Sequence, residues 1–452
     1  MKRLIFLSMA ACLLTGCGIY GKYSRPDMEI ETQYRHTENT ADTATIASLS
    51  WREFFTDTCL QALIEQGLQR NTDLQIARLK VEEAEAVLMN ARLSYLPALA
   101  LSPEAGVGRY VGNTSKTYHI AASASWELDI FGKNTNAKQG ASAALDGSRD
   151  YAQAVRTRLI ATIADSYYTL LMLDSQLNIG EQTLENWEKS IRTLEALKRG
   201  GETNDAAVLQ ARANRMTLES SILALRKSIA DTENSLAVLL ALPSQRIARG
   251  ALSETTFHES VSVGIPVQLL ANRPDVRQAE RNLAQTFYAT NAARAAFYPA
   301  VTLSGTLGWT NNGGGVILNP GHWLLNTIGS LTQPLFNKGT NIANLKIAEA
   351  RQEEAKLQFR QSLLDAGKEV NDALVQCQTS KRQMELGEQQ ITTLHEAVRK
   401  TELLMRHSSS TYLEVLTAQQ SLLDAQQKLS QFRFDNIQGF INLYYALGGG
   451  YL

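Results

Sequence analysis

The chain has 452 residues, with 44 Lys and Arg against 45 Asp and Glu, and a formal net charge of −1. A balance this close to neutral excludes the basic field of a nucleic-acid binder, and four cysteines in so long a chain exclude a disulfide framework. After the first twenty residues no apolar run reaches the ~20 residues of a membrane helix, so any spanning segment has to be β.

Met1-Lys2-Arg3 and the apolar Leu4 to Leu14 read as an export signal. Leu14-Thr15-Gly16-Cys17 resembles a bacterial lipobox, which implies cleavage before Cys17 and acylation of that residue. The alternative is a plain signal with an incidental cysteine. Gly18 stands where an inner-membrane retention Asp would stand, which favours the outer membrane. Cys12 leaves with the signal, and Cys59 and Cys377 read as small packing residues.

Gly18 to Ser50 is a polar leader. Leu60 to Tyr95 keeps helical spacing as one helix that Pro97 ends. Ala98–Tyr110 and Tyr118–Leu128 alternate as a hairpin, with Asn113–Lys116 as its turn. Ala137 to Leu242 contains no proline and carries a coiled-coil seam: Leu184, Trp187, Ile191 and Leu194, then Leu218, Ile222, Leu225, Ile229, Leu236 and Leu239. Folded once near Asp174 to Glu181, it gives two antiparallel helices of roughly 40–60 residues, or about 60–90 Å. A break at Arg199-Gly200-Gly201-Glu202-Thr203-Asn204 falls inside the second of these.

The pattern then recurs. Asn71-Thr72-Asp73-Leu74 through Ser102 aligns without a gap on Arg273-Pro274-Asp275-Val276 through Ser304. Val301 to Trp309 alternates as a strand, Asn311–Gly315 is a loop, and Trp323–Leu335 is the partner strand. Asn341–Leu386 and Gln389–Leu447 form a second long hairpin, whose break at His407–Thr411 answers the double glycine. A period of about 205 residues is far beyond the roughly 20–50 of solenoids and marks a duplicated domain. The expected division is a signal peptide (1–16), a lipidated leader (17–56), a first repeat (57–243), an equatorial connector (244–265) and a second repeat (266–452).

Two strands per repeat give four per chain. Four strands cannot close a barrel, and an open sheet in lipid leaves backbone groups unpaired at several kcal/mol each. Copies of the chain must therefore pool strands, and three copies give twelve, an even number within the bacterial range. Alternation turns Tyr118, Ile120, Ala122, Ala124, Trp126 and Leu128 toward lipid, together with Val301, Leu303, Leu307 and Trp309. The histidines His36, His119, His258, His322, His395 and His407 form no metal-binding pair. No nucleophile elbow, phosphate loop or Cys-x-x-Cys is present, so the chain does not read as an enzyme. The expected cofactor list is empty beyond the lipid on Cys17.

Several blocks taken together resemble a known family. They are Trp126-Glu127-Leu128-Asp129-Ile130-Phe131-Gly132-Lys133, Asn272-Arg273-Pro274-Asp275-Val276 and Phe297-Tyr298-Pro299, with Gln333-Pro334-Leu335-Phe336 and the terminal Ala446-Leu447-Gly448-Gly449-Gly450. With the lipobox, they make the chain similar to the TolC-like outer membrane factors, in the lipoprotein branch that serves RND-type efflux pumps. The resemblance implies a mainly α protein with β: a trimeric transmembrane β-barrel continued by a long α-helical coiled-coil barrel through the periplasm. It implies a passive exit duct for an inner-membrane RND-type transporter, joined through a periplasmic adaptor (membrane fusion) protein, in a Gram-negative outer membrane. It also implies a gate at the helical tips. Asp174 is read near the first tip, and Asp372, Arg382 and Glu385 near the second. The alternatives are an exit duct for type I protein secretion and a periplasmic coiled-coil lipoprotein without a pore.

Overall fold

The computed structural model describes residues 20–27, 49–110, 112–252, 273–310, 322–406 and 412–449. In chain order it contains α1 (Trp51–Phe54), α2 (Thr58–Arg70), α3 (Thr72–Leu93), β1 (Ala98–Tyr110) and β2 (Asn113–Leu128). These are followed by α4 (Lys133–Arg199), α5 (Asp205–Leu239), α6 (Pro274–Ala295), β3 (Ala300–Thr310), β4 (His322–Thr332), α7 (Thr340–Arg406) and α8 (Tyr412–Ala446). The duplication is visible in the lengths: α3 and α6 have 22 residues, α4 and α7 have 67, and α5 and α8 have 35. The residues cluster into two compact units. One comprises Met1–Glu29, Leu79–Asp150 and Arg277–Ser362; the other comprises Ile30–Arg78, Tyr151–Val276 and Leu363–Leu452.

The first unit holds the sheet. Its order is β1-β2-β3-β4 and every pair is antiparallel, so the hairpins of the two repeats join through β2 and β3. Gly308 allows that join, because a Cβ there would sit 2.2 Å from the carbonyl oxygen of Ile120. Asn113 to Lys116, expected as a turn, lies inside β2 and pairs with Val107–Tyr110. The chain reverses between Tyr110 and Asn113 instead, where Gly112 takes φ +80°, a conformation open to glycine at little cost. In the same unit Arg277 of α6 meets Asp150 of α4 at 2.7 Å. Burial still raises the Asp150 carboxyl above its ordinary range, with Arg277 and Arg281 offsetting part of the rise.

The second unit holds the main apolar core. Trp51, Phe55, Leu60 and Ile64 pack with Ile160, Ile163, Tyr167 and Leu171 of α4, and with Leu236, Ile441 and Tyr444. Phe54 stacks on Tyr444 at 4.4 Å. Leu60 to Tyr95 is two helices rather than one. Asn71 separates them: its side-chain oxygen accepts from the Leu74 amide as an N-cap, and its amide group donates to the Leu239 carbonyl.

The long hairpins reverse later than expected. Trp187 packs with Leu218 and Ile222, and Ile191 and Leu194 pack with Val208 and Ala211. The ion pairs Glu195–Arg212, Glu188–Arg215 and Glu181–Arg226 step outward from one turn. That turn is Gly200–Asn204. Gly201 takes φ +80°, the Glu202 amide bonds to the Leu197 carbonyl and the Gly201 amide to that of Lys198, closing α4 with a Schellman motif. Asp174 to Glu181 is continuous helix. Gly180 breaks nothing there; it lies against Ile222 and lets α5 approach closely. Leu386 to Gln389 is continuous helix as well, with Gly387 against Leu429 and Phe432. A lone glycine costs a helix about 1 kcal/mol, which packing outweighs. The second hairpin, expected to reverse between Leu386 and Gln389, runs on as helix to Arg406, and the break expected at His407–Thr411 lies outside the described residues.

Candidate functional site

The register divides the sheet into two chemically distinct faces. Leu99, Leu101 and Val107 of β1 share a face with Ile120, Ala122, Ala124 and Trp126 of β2. Opposite these stand Trp309, Leu307, Gly305 and Leu303 of β3, and then Leu325, Gly329 and Leu331 of β4. These large side chains are exposed: Leu99 at 79%, Leu101 at 70%, Leu325 at 76% and Leu331 at 70%. The other face carries Ala100, Ser102 and Gly106, then Ser123, Ala121 and Thr117, then Ser304, Thr306 and Gly308, with Leu324 and Ile328 of β4 at its large apolar positions. A continuous exposed leucine face opposed by a small polar one is what a half-lipid, half-water wall requires. The face assigned by alternation in β2 and β3 is the one that the register assembles.

Aromatic and apolar side chains gather where the strands meet the helices. The Trp126 indole donates to the Tyr95 carbonyl at 2.9 Å, and Phe131 stacks on Tyr298 at 5.0 Å. Leu96, Ile130, Phe297, Leu335 and Phe336 are exposed nearby in the chain. The described part of the leader docks in the same unit. The Tyr23 ring meets Phe287 edge-on at 5.7 Å, and Arg25 pairs with Glu280 and lies over Phe359. Burial, followed by the nearby Glu280 carboxylate, pushes the Tyr23 phenol up to about 12. Cys17 lies outside the described residues.

Helix α5 has two seams. Val208, Ala211, Leu218, Ile222, Ile229 and Leu236 are buried within the chain. On another face Leu209, Met216 and Leu223 recur at intervals of seven and are 57%, 64% and 64% exposed. Sequence reasoning found the first seam and missed the second, although its heptad spacing was there to be read. Beside the Gly200–Asn204 reversal lies a groove of ≈ 950 Å³, lined by both hairpins through Lys189, Leu197, Asn204, Gln210, Glu402 and Tyr412.

The four gate candidates lie within helices. Asp174 precedes the end of α4 by 25 residues, about 37 Å at 1.5 Å per residue. It receives the guanidinium fork of Arg249, whose remaining nitrogen reaches Glu233. The Asp174 bonds raise the Arg249 guanidinium, burial opposes them, and Glu233 adds to the rise. Asp372 pairs with Lys368, and Arg382 with Glu385, each within one turn of α7 on an exposed surface. The structure therefore brings Arg382 and Glu385 together and leaves Asp174 engaged elsewhere. Among the described residues, no group of three or more His, Cys, Asp or Glu side chains is placed to hold a metal ion, and no helix is long and apolar enough to cross a membrane.

The family model described as "Outer membrane efflux protein" matches residues 63–242 and 265–449. The chain is 31% identical over 453 residues to the cation efflux system protein CusC of Escherichia coli O6:H1, covering 98% of this chain and 97% of that protein. It is 30% identical over 466 residues to SilC of Salmonella typhimurium, named a probable outer membrane lipoprotein, across 100% of both chains. A solved structure of CusC, described with its folding and transmembrane channel formation, superimposes with a TM-score of 0.88 at 29% identity. The match covers 96% of this chain and 100% of that one. With both repeats covered by the family model and the relatives matched over nearly the whole chain, the chain belongs to the outer membrane efflux protein family.

Proposed function

We propose that the protein is the passive outer membrane exit duct of a tripartite efflux system, working as a homotrimer. The observation that carries this reading is the four-stranded sheet with an exposed leucine face and two unpaired edges, β1 and β4. An open edge is untenable in lipid. Three copies joined edge to edge give a closed barrel of twelve strands. The second seam of α5 supports the same assembly: α4 and α8 cover its first seam, and Leu209, Met216 and Leu223 are left exposed for a helix of a neighbouring copy. Three copies thus extend the strands as a ring of coiled-coil helices. A periplasmic coiled-coil lipoprotein without a pore has no use for the leucine face.

In this reading Cys17 bears the lipid. Tyr20 and Tyr23 are docked on the sheet-bearing unit, and three residues span at most about 11 Å, so the acyl chains enter the bilayer beside the strands. The name of SilC supports an anchored form. The groove at the Gly200–Asn204 reversal is the place for a periplasmic adaptor, which links the duct to an inner-membrane RND-type transporter, and the tips formed by the reversals are the gate. Asp372, Arg382 and Glu385 serve as wall charges facing neighbouring copies.

The test is native mass spectrometry in detergent together with planar-bilayer conductance. A trimer with a small, reproducible conductance supports the duct, and Met216→Glu with Leu223→Glu should release folded monomers. A stable folded monomer from the wild type, or no conductance from any variant, would refute it. Mass spectrometry of the mature N-terminus checks Cys17: unmodified protein from the native membrane removes the anchor.

A further inference from the structure

The duplication gives the sheet-bearing unit two versions of the junction between helix and strand, and they differ in charge. In the second repeat Arg294 of α6 pairs with Glu349 of α7 at 3.3 Å. The leader lies on that side of the junction: Tyr20 is against Gly132, next in the chain to the Phe131 ring that stacks on Tyr298. In the first repeat Arg92 takes the place of Arg294. Aligning Thr135-Asn136 with Thr340-Asn341 puts Ala144 where Glu349 stands and Lys138 where Ala343 stands. The first version has thus lost an acid and gained a cation.

Both cations border Tyr95. The Lys138 ammonium lies over the Tyr95 ring, 5.6 Å from its centre. Arg92 is exposed in the last turn of α3, and the Tyr95 amide bonds to its carbonyl at 3.4 Å. Tyr95 is fixed at two further points: its hydroxyl meets Thr135 Oγ1 at 2.9 Å, and its carbonyl accepts from the Trp126 indole. The acids of this corner are engaged. Glu127 pairs with Lys133, and Asp129 accepts from the amides of Asn134 and Thr135 and from the Thr135 hydroxyl. Among the described residues neither Arg92 nor Lys138 has a carboxylate partner. The apolar surface starts at once: Leu96 and Leu99 are exposed beside Tyr95, and Trp126 belongs to the leucine face.

We propose that Arg92 and Lys138, with Tyr95, bind the head group of an anionic glycerophospholipid in the inner leaflet of the outer membrane. The proposal rests on the reading of the leucine face as the lipid side of a barrel wall. At this end the chain passes from α3 into β1 and from β2 into α4, so the junction is the periplasmic end of the strands. A head group there meets two cations, and its acyl chains lie on the apolar face that begins at Leu96. Tryptophan and tyrosine suit this level of a bilayer, with an apolar ring and a polar handle. Lysine or arginine near an anionic surface contributes about fivefold in binding per cation. A zwitterionic head group carries the same phosphate with its own ammonium, which competes with both side chains. Salt should weaken the preference, since the screening length is about 10 Å at 0.1 M.

The experiment is native mass spectrometry of the full-length protein in detergent, titrated with phosphatidylglycerol, with phosphatidylethanolamine of the same acyl chains, and with inorganic phosphate. The wild-type trimer should retain phosphatidylglycerol at least about fivefold more tightly than phosphatidylethanolamine. Arg92→Gln and Lys138→Gln should each weaken phosphatidylglycerol binding by about fivefold, with phosphatidylethanolamine binding and the melting temperature unchanged. Lys346→Gln, the same change of charge at an exposed position of α7, should leave the preference intact. Equal retention of the two lipids by a wild-type trimer, or an equal loss with Lys346→Gln and Lys138→Gln, would overturn the site and leave the duct standing. Binding of inorganic phosphate without retention of phosphatidylglycerol would overturn the lipid assignment. A wild-type protein that is a folded monomer and retains no lipid would overturn the duct, and the site with it.

Discussion

Arg273 donates to the carbonyl oxygen of Ala446 at 3.1 Å, and Asn71 donates to that of Leu239 at 2.9 Å. The two bonds are one bond made twice. Asn71 and Arg273 are equivalent in the duplicated sequence, and Leu239 and Ala446 are the last residues of α5 and α8. Each bond satisfies a helix-end carbonyl that the helix itself cannot satisfy. Arg273 also reaches Asp275 and Glu369, and it is 3% exposed. Burial works against its charge, but the two carboxylates outweigh that and raise it. Asn71→Ala should cost about 1–3 kcal/mol and Arg273→Met about 1.5–3 kcal/mol, read as a lower melting temperature in detergent. Arg273→Lys should recover only part of the loss, because an ammonium cannot span both carboxylates and the carbonyl. Full recovery by lysine would show that charge alone matters there.

Ala241 has φ +53° and closes α5 as Gly448, at φ +78°, closes α8. The hydrogen bonds match. Leu242 bonds back to Ala237 and Ala241 to Val238 in the first repeat, and Gly449 to Tyr444 and Gly448 to Tyr445 in the second. An L residue pays a steric cost in this conformation, and Ala241 is exposed, so little packing is lost on its removal. Ala241→Gly should therefore raise stability by about 0.5–1 kcal/mol, whereas Gly448→Ala should lower it by at least about 1 kcal/mol. Thermal melts of the two variants should move in opposite directions.

Leu303 and Thr302 are neighbours in β3 on opposite faces; Leu303 stands opposite Trp126 and Thr302 opposite Glu127. Lysine at Leu303 should cost about 2–4 kcal/mol if the site lies near the bilayer midplane, and lysine at Thr302 much less. The yield of assembled trimer after membrane extraction reports the difference. Equal yields would reverse the face assignment.

Asp174 and Arg382 separate structural charge from gating charge. Asp174→Ala leaves Arg249, which is 14% exposed in its side chain, with Glu233 as its remaining carboxylate. It should lower the melting temperature, with a loss of about 1–3 kcal/mol. Arg382→Ala removes an exposed pair worth about 0–1 kcal/mol and should leave the melt unchanged. A rise in resting conductance with Arg382→Ala at unchanged stability assigns Arg382 to contacts between copies. No rise removes it from those contacts.

Much of this was readable before any coordinates. Period-two alternation from Tyr118 to Leu128 found most of β2 and the residues that share its leucine-bearing face, and the gapless alignment of Asn71 with Arg273 found the duplication. The helix reversals were misplaced because the seam shows that a helix folds back and not where; Gly180 and Gly387, which lie within the expected reversals, are close crossings that only the neighbouring helix reveals. The partners of Asp174 and the pairing of β2 with β3 were invisible for a related reason. Arg249 is 75 residues from Asp174, and register across β2 and β3 is not written in either strand alone.

The join between β2 and β3 also sets an order of events. Leu128 pairs with Val301, so the centre of the sheet ties together residues about 170 positions apart. The helical hairpins close over short distances and can form as each repeat is delivered, whereas non-local pairing is slow. Until the second repeat arrives, β1 and β2 present a leucine face and an open edge to water, the condition in which chains aggregate. A cell making this protein has to shield the first hairpin in transit, and membrane insertion has to wait for the chain to be nearly complete.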